Sequence, residues 1–490
     1  MRLNGFKLRI RRICLTGIAG LFTTLASDSL LAQSIQRGSE ITAVEFDTAV
    51  QGAQAGDEPL AVPLAVPVAP VDPDEPPLTV DSDLPGIVSD QPGYVGESYF
   101  SGEPAYFDGQ GGMGYCGDDE QWYLFRQCED RWNIRGWMNA GIMFNTDSPA
   151  SRFNGPYNSI DRSNEAMFNQ AYIIAEKKLS RCCNGWGGRV DYLFGEDFLV
   201  AQSVGMELHD DGTSKWNSEF YGSAIPQAYI NYGSQELNVQ VGHFYTLVGY
   251  EGVMAPDNVF YSKSYSYQFG GPFTHWGGMV NWSPNQRWTF NVGLTNGWNA
   301  LDRENDTVGL LARARFVGDC GVWTSFAITT GQEFNNPAGL QIAPSWGNRT
   351  RYSWLIGIPL TCRMDYVFHQ YVGTQEGGAI NGGRADWFGI DQYLGYTINE
   401  CWKAAMRFEW FNDEDGTRVG LNRPSNPNKP PLAGDYMSLT FGLNWTPTNN
   451  FTFRPEVRYD WFDGAAGVNP FNDGLATNQF TLGFDAIMKF

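Results

Sequence analysis

Several things that would define other kinds of protein are missing from this chain. Beyond its first few dozen residues it has no apolar run near the ~20 residues that a membrane-spanning helix needs, which excludes a helical membrane bundle. No stretch carries a 3.6-residue apolar period, which argues against an amphipathic helical fold. Histidine is scarce: His209, His243, His275 and His369 are the only four in 490 residues. No two of them stand at metal-ligand spacing and none lies near a glycine-flanked serine. No catalytic residue, metal ligand or cofactor is therefore assigned, and the chain is read as no enzyme. Basic residues are also in short supply, with 33 Lys and Arg against 54 Asp and Glu for a net charge of -21. So acidic a chain has no electrostatic footprint for nucleic acid.

What is present divides into unlike parts. The first, MRLNGFKLRIRRICLTGIAGLFTTLASDSLLAQ, has five Lys or Arg by Arg12, an apolar run from Ile13 to about Leu25 and small residues near Ala26 and Ala32. That order is the pattern of a secretory signal peptide, assigned to residues 1–32. From Gln33 to Asp130 there are nineteen Asp or Glu against two Lys or Arg. The prolines of LAVPLAVPVAPVDPDEPP (Leu60–Pro77) favour extended, unpaired backbone. Residues 33–93 read as an acidic disordered linker, and 94–130, with more Gly and aromatics, as a short periplasmic segment.

From Arg131 the composition turns to Trp, Tyr, Phe, Gly, Asn and Asp, arranged in segments of about ten residues that alternate apolar and polar. Clear rows are Val190, Tyr192, Phe194; Leu237, Val239, Val241; Trp288, Phe290, Val292, Leu294; and Phe480, Leu482, Phe484. With the weaker segments the count is about sixteen, an even number as expected for an all-β, antiparallel, up-and-down transmembrane barrel. Short connections (CCNGW, GSQE, SPNQ, VGDCG, NECW, TPTNN) alternate with long ones around 146–164, 202–222, 250–272, 333–350, 412–434 and 463–477. Opposite the apolar rows stand Arg189, Asp191, Arg313, Arg315, Lys403, Arg407, Glu409, Arg454, Glu456, Arg458 and Asp460. Two packed sheets would fill that face with Val and Leu. Unpaired buried charge is prohibitively costly, so a charged face of this length calls for water within. Arg189, Asp191, Arg313, Arg315, Arg407, Glu409, Arg454, Glu456 and Arg458 are accordingly expected to line a pore.

Six phrases carry a family resemblance: GWMNAGIMFN (Gly136–Asn145), RFNGPYNSIDRSNEAMFNQAY (Arg152–Tyr172), GWGGRVDYLFGEDF (Gly185–Phe198), IPQAYI (Ile225–Ile230), VGHFYTLVGYEGVMAPDNVFYS (Val241–Ser262) and FTHWGGM (Phe273–Met279). Together they resemble the putative beta-barrel porin-2, OmpL-like family. The resemblance implies an outer-membrane porin, embedded in outer-membrane lipid and passing small hydrophilic solutes and ions by passive diffusion. It also implies that the aromatic end of FTLGFDAIMKF (Phe480–Phe490) is read by barrel-assembly machinery. By analogy with general porins the barrel is expected as a homotrimer, with the connection 250–271 as its constriction. Glu251 and Asp257 on that loop would face basic residues on the wall and set a transverse field. The competing expectation is that the wall arginines pair with Asp191, Glu409, Glu456 and Asp460 as structural ladders.

Eight cysteines, less Cys14 with the signal, leave seven in an oxidising compartment. Cys182, Cys183, Cys320, Cys362 and Cys401 fall in or beside short turns, hence on the periplasmic rim, too far apart to pair with one another. They are expected either to bind Cys116 and Cys128, fastening the preceding segment beneath the pore, or to stay as free or locally paired thiols. NDEDGT (Asn412–Thr417) lacks a full calcium-ligand run and reads as an exposed acidic loop. Two other readings stay open: a substrate-specific or receptor-type barrel partly plugged by its N-terminal segment, and a secreted β-rich binding protein.

Overall fold

The computed structural model describes residues 121–127, 131–302, 307–335, 345–379, 381–420, 423, 425–428 and 432–490. The expected signal peptide, the acidic linker, most of the 94–130 segment, Cys116 and Cys128 lie outside the described residues.

Sixteen strands are present: β1 (Asn133–Asn145), β2 (Ala166–Lys177), β3 (Gly185–Gly195), β4 (Gly222–Gly233), β5 (Leu237–Tyr245), β6 (Thr274–Trp282), β7 (Trp288–Thr295), β8 (Gly309–Val317), β9 (Trp323–Asn335), β10 (Ser345–Pro359), β11 (Met364–Gln375), β12 (Ala385–Thr397), β13 (Trp402–Asp413), β14 (Gly434–Thr448), β15 (Phe451–Gly464) and β16 (Asn478–Lys489). Each pairs antiparallel with its sequence neighbours, and β16 pairs with β1 to close the barrel. Closure leaves no free sheet edge, as hydrocarbon surroundings require. The last residue completes the seam: Gly136 N donates to Phe490 O at 2.9 Å and Phe490 N to Gly136 O at 2.8 Å.

Side chains alternate between the two faces because a strand has a period of two. Outward lie Val190, Tyr192 and Phe194 on β3, Val239 and Val241 on β5, Val292 and Leu294 on β7, and Phe480, Leu482 and Phe484 on β16, all exposed and apolar. Hydrocarbon is the medium in which such a row is favourable. Trp186 beside Tyr232 (4.8 Å between ring centroids) and Trp402 stacked on Trp445 (5.7 Å) lie next to short turns, where interfacial aromatics form a girdle.

Three loop boundaries differ from the sequence reading: the connection expected at 202–222 begins six residues earlier, because β3 ends at Gly195. The connection expected at 333–350 is shorter, because β9 and β10 extend their alternation into it. The one expected at 250–272 is longer, running from the end of β5 at Tyr245 to Thr274 of β6. Upstream of β1, Trp122 exchanges hydrogen bonds with Asn450 in the turn between β14 and β15, donating through its backbone N at 3.1 Å and accepting from Nδ2 at 2.9 Å. Gln121–Gln127 thus lies at the short-turn rim.

Candidate functional site

The loop 246–273 turns inward and crosses the bore. Its fold is set locally by a 3-10 turn, Ala255–Asp257, with Pro256 in its first turn, and by one short helix, α1 (Tyr265–Phe269). Ser264 caps α1 by accepting from Tyr267 N. The loop's apolar residues bury themselves on two separate stretches of wall. Val253, Met254 and Ala255 pack with Trp137, Leu193 and Phe198, whereas Val259 and Phe260 pack with Leu355, Val367 and Tyr393.

Between these contacts the polar wall residues bind the loop backbone. Arg407 pairs with Glu251 at 2.6 Å and donates to Ser262 O at 3.0 Å. Arg454 holds Asp485 through both Nε (2.9 Å) and Nη2 (2.5 Å), while its Nη1 donates to Ala255 O (2.9 Å) and Asn258 O (2.5 Å). Arg458 pairs with Asp460 (2.7 Å) and Glu409 (2.9 Å) and donates to Lys263 O (2.7 Å). Glu456 accepts from Tyr261 N and Ser262 N, and Glu409 accepts from Tyr265 N. A forked guanidinium can serve a carboxylate with one edge and carbonyls with the other, so one arginine fixes wall and loop together.

Acid on the loop and base on the wall meet as a direct buried pair, and wall arginines also pair along the wall. Glu251 meets wall base at Arg407, and Arg189 pairs with Asp191 on its own strand at 2.7 Å. Burial alone would raise the Glu251 carboxyl, but Arg407 and then Lys263 hold it below the ordinary range. Burial pushes the Lys263 amine down to about 8, against the pull of Glu251 and Asp197. Asp257 sits half-buried on the 3-10 turn. Arg313 and Arg315 point inward on β8, where a ladder of amides crosses the strands: Asn281 to Asn238 (2.8 Å), Asn291 to Asn281 (2.9 Å) and Arg313 to Asn291 (3.0 Å). Arg315 lies over the Trp323 ring at 5.4 Å. The sequence reading expected the inward charges to be wetted. At the level of the loop they are covered instead, with Arg189, Arg407 and Arg458 at most 1% exposed. The loop fills the space beside them and supplies hydrogen bonds in place of water.

Some functional candidates carried no sequence signal. Ser353, His369 and Asp391, on three successive strands, form a chain in which Ser353 Oγ lies 2.9 Å from His369 Nε2 and His369 Nδ1 lies 2.8 Å from Asp391. Their positions are 16 and 22 residues apart, a spacing only the strand register explains. Toward the long-loop end, Arg423 bridges Asp161 and Glu196, and Asp197 accepts from Ser159 (2.9 Å) and Gln170 (2.7 Å). Burial, reinforced by Glu196, pushes the Asp197 carboxyl up to about 7. His243 stacks on Trp276 at 4.7 Å and His275 lies near Phe244, as strand-end histidines beside aromatics. Among the described residues no group of three His, Cys, Asp or Glu side chains could hold a metal. In the NDEDGT stretch Asp413 is buried rather than exposed, because it accepts from the backbone N of Thr417, Arg418 and Val419 and so organises the loop's first turn. Cys401 is disulfide-bonded, while Cys320 and Cys362 are exposed thiols and Cys182 and Cys183 are exposed neighbours in the turn between β2 and β3.

A closed sixteen-stranded antiparallel barrel, apolar outside and charged inside, with one long loop drawn across its bore, is the architecture of an outer-membrane channel of the porin type. The family model for putative beta-barrel porin-2, OmpL-like, matches residues 131–490, and the chain belongs to that family. No curated protein matches it in sequence. Among solved structures it is similar to the outer membrane channel DcaP of Acinetobacter baumannii, at 12% identity, covering 75% of this chain and 99% of that one with a TM-score of 0.47. It is also similar to OmpT of Vibrio cholerae (9% identity, 74% and 99% covered, TM-score 0.48) and to an anion-selective porin from Comamonas acidovorans (7%, 74% and 99%, 0.48).

Proposed function

We propose that this protein is a general diffusion porin, a water-filled channel through which small hydrophilic solutes and ions cross the outer membrane passively, narrowed by the loop 246–273. One observation carries the reading: the loop is anchored across the bore by Arg407, Arg454 and Arg458, side chains that also pair with acids on the loop or the wall. A loop held that firmly suits a fixed aperture better than a moving gate. The inward face of β8, with Arg313 and Arg315, is assigned to the polar wall beside the solute's path, both side chains being themselves mostly covered (9% and 6% exposed). N-terminal residues 33–130 are assigned to the periplasm, consistent with Trp122 lying at the short-turn rim.

The test is single-channel recording of purified protein in planar bilayers. Wild-type protein should give stable, ohmic openings. Replacing Arg313, Arg315 and Arg454 together by Ala should change conductance and ion selectivity; unchanged values would remove those residues from the constriction. Removing residues 33–130 should leave conductance near wild type, whereas a large increase would favour a plugged, receptor-type barrel.

A further inference from the structure

Arg351 differs from the other inward arginines of the constriction. It alternates with Arg349 and Ser353 on the inward face of β10, paired in register with Thr329 and Gly373. Its side chain is 2% exposed. Among the described residues, its Nε and Nη2 are buried and donate to nothing. Those two nitrogens form one edge of the guanidinium, the edge that grips a carboxylate or phosphate through two parallel hydrogen bonds. Arg454 uses the same edge on Asp485.

Asp391 and Arg418 are the charged groups near enough to act on it, and neither hydrogen-bonds its Nε or Nη2. Gly249 and Gly271, near the two ends of the inserted loop, flank the guanidinium. A Cβ at Gly271 would come within 1.7 Å of Nη1, and one at Gly249 would stand 4.0 Å from Nη1 and Nη2. The Tyr371 ring supports the cation from one side, with the guanidinium carbon 5.2 Å from its centroid. A buried charge with open donors is strongly unfavourable unless something satisfies it. Arg407, Arg454 and Arg458, which anchor the loop, each meet a carboxylate and a loop carbonyl, and Arg351 makes neither contact.

We propose that Arg351 is the recognition site for a small oxyanion, a carboxylate, sulfate or phosphate group, taken up where the ends of the loop meet β10. This deepens the porin reading and rests on it. Two oxygens of the anion accept from Nε and Nη2, and the glycines give way by backbone movement alone. Such a step makes transport of these anions saturable and biases the channel toward them over chloride.

Inorganic phosphate is the probe, against chloride current through the full-length protein at constant ionic strength. Wild-type channels should be blocked by phosphate in a concentration-dependent way. Arg351→Gln should raise the half-blocking concentration about tenfold, the loss of one charge-assisted pair, and Arg351→Lys, which keeps charge but not the fork, should fall between. Equal block of wild type and Arg351→Gln overturns the site, as does wild-type block no greater than sulfate-free, phosphate-free chloride gives. Should Arg351→Gln lack the gel shift of a folded barrel, wild-type protein decides: phosphate must raise its unfolding temperature in detergent relative to chloride, and no shift overturns the proposal. Conductance that is normal but insensitive to phosphate sinks this site and spares the pore; absence of conductance with phosphate stabilisation sinks the pore and supports the site.

Discussion

Arg454 illustrates how much one side chain can hold in this barrel and how little of that its sequence context announces. Its inward position follows from alternation with Phe453 and Val457, but Asp485, its partner, is 31 residues away on β16 and is set only by register. The loop carbonyls it serves are nearly 200 residues away, and nothing in the local sequence points to them. Arg351 was harder still to single out: both faces of β10 are polar at its long-loop end, with Asn348, Arg349, Thr350 and Arg351 in succession, so the inward row has no contrast. Truncating one member of a buried pair leaves the other uncompensated, at a cost of about 3–5 kcal/mol. Arg454→Ala should therefore lower the unfolding temperature of the detergent-solubilised barrel and add noise to its open current, while Arg454→Lys should recover part of both. A variant as stable and quiet as wild type would show that the loop needs no such anchor. Asp197 supplies a pH-dependent counterpart. Its carboxyl is raised to about 7 in the folded chain, above the ordinary carboxylate value. Between about pH 4 and 7 the unfolded chain has lost this proton and the folded chain keeps it, so stability falls as pH rises through that window. Asp197→Asn should flatten that part of the curve and gain most above pH 7; melting temperatures at pH 5 and 8 for both proteins decide it.

Strands and loops were unequally legible. Alternation over ten residues, punctuated by Gly, Asn, Asp and Pro, is a local property, and the sixteen strands could be counted from it because each strand meets lipid on one face and a polar interior on the other. The inserted loop obeys no such period. Val253, Met254, Val259 and Phe260 bury themselves on two distant parts of the wall, a decision made by the closed barrel and not by their neighbours. Position between the fifth and sixth strands singled out the loop, but its reach, its helix α1 and its covering of the wall charges come from packing alone. Since the sixteen strands close without it, replacing residues 250–271 by a short Gly-Ser linker should leave a barrel that folds and shifts on a gel when boiled. Its conductance should rise and its selectivity weaken, as measured in planar bilayers. A conductance equal to wild type would place the narrowest point elsewhere.

At the scale of the whole molecule, the segment before β1 meets the barrel at its short-turn rim. If the short-turn rim faces the periplasm, as proposed above, that compartment permits disulfides. Cys401 lies in the turn between β12 and β13, and its carbonyl accepts from Thr446 N on β14 at 2.9 Å. The next short turn along that rim carries Asn450, which binds Trp122 through two hydrogen bonds. The chain upstream of β1 thus passes one turn away from a cysteine that is disulfide-bonded, whereas Cys320 and Cys362 on other turns are thiols. Cys116 is six residues before Trp122, and six extended residues span at most roughly 20 Å, a reach that covers adjacent turns; Cys128 is equally near along the chain. A bond from Cys401 to either would fasten the N-terminal segment to the periplasmic rim while leaving the bore to the inserted loop. Peptide mapping of unreduced protein should recover Cys401 linked to Cys116 or Cys128, and Cys401→Ser should make the segment before β1 sensitive to protease without altering single-channel conductance. Recovery of Cys401 as an alkylated thiol, or linked to another barrel cysteine, would rule out this disulfide as the tether.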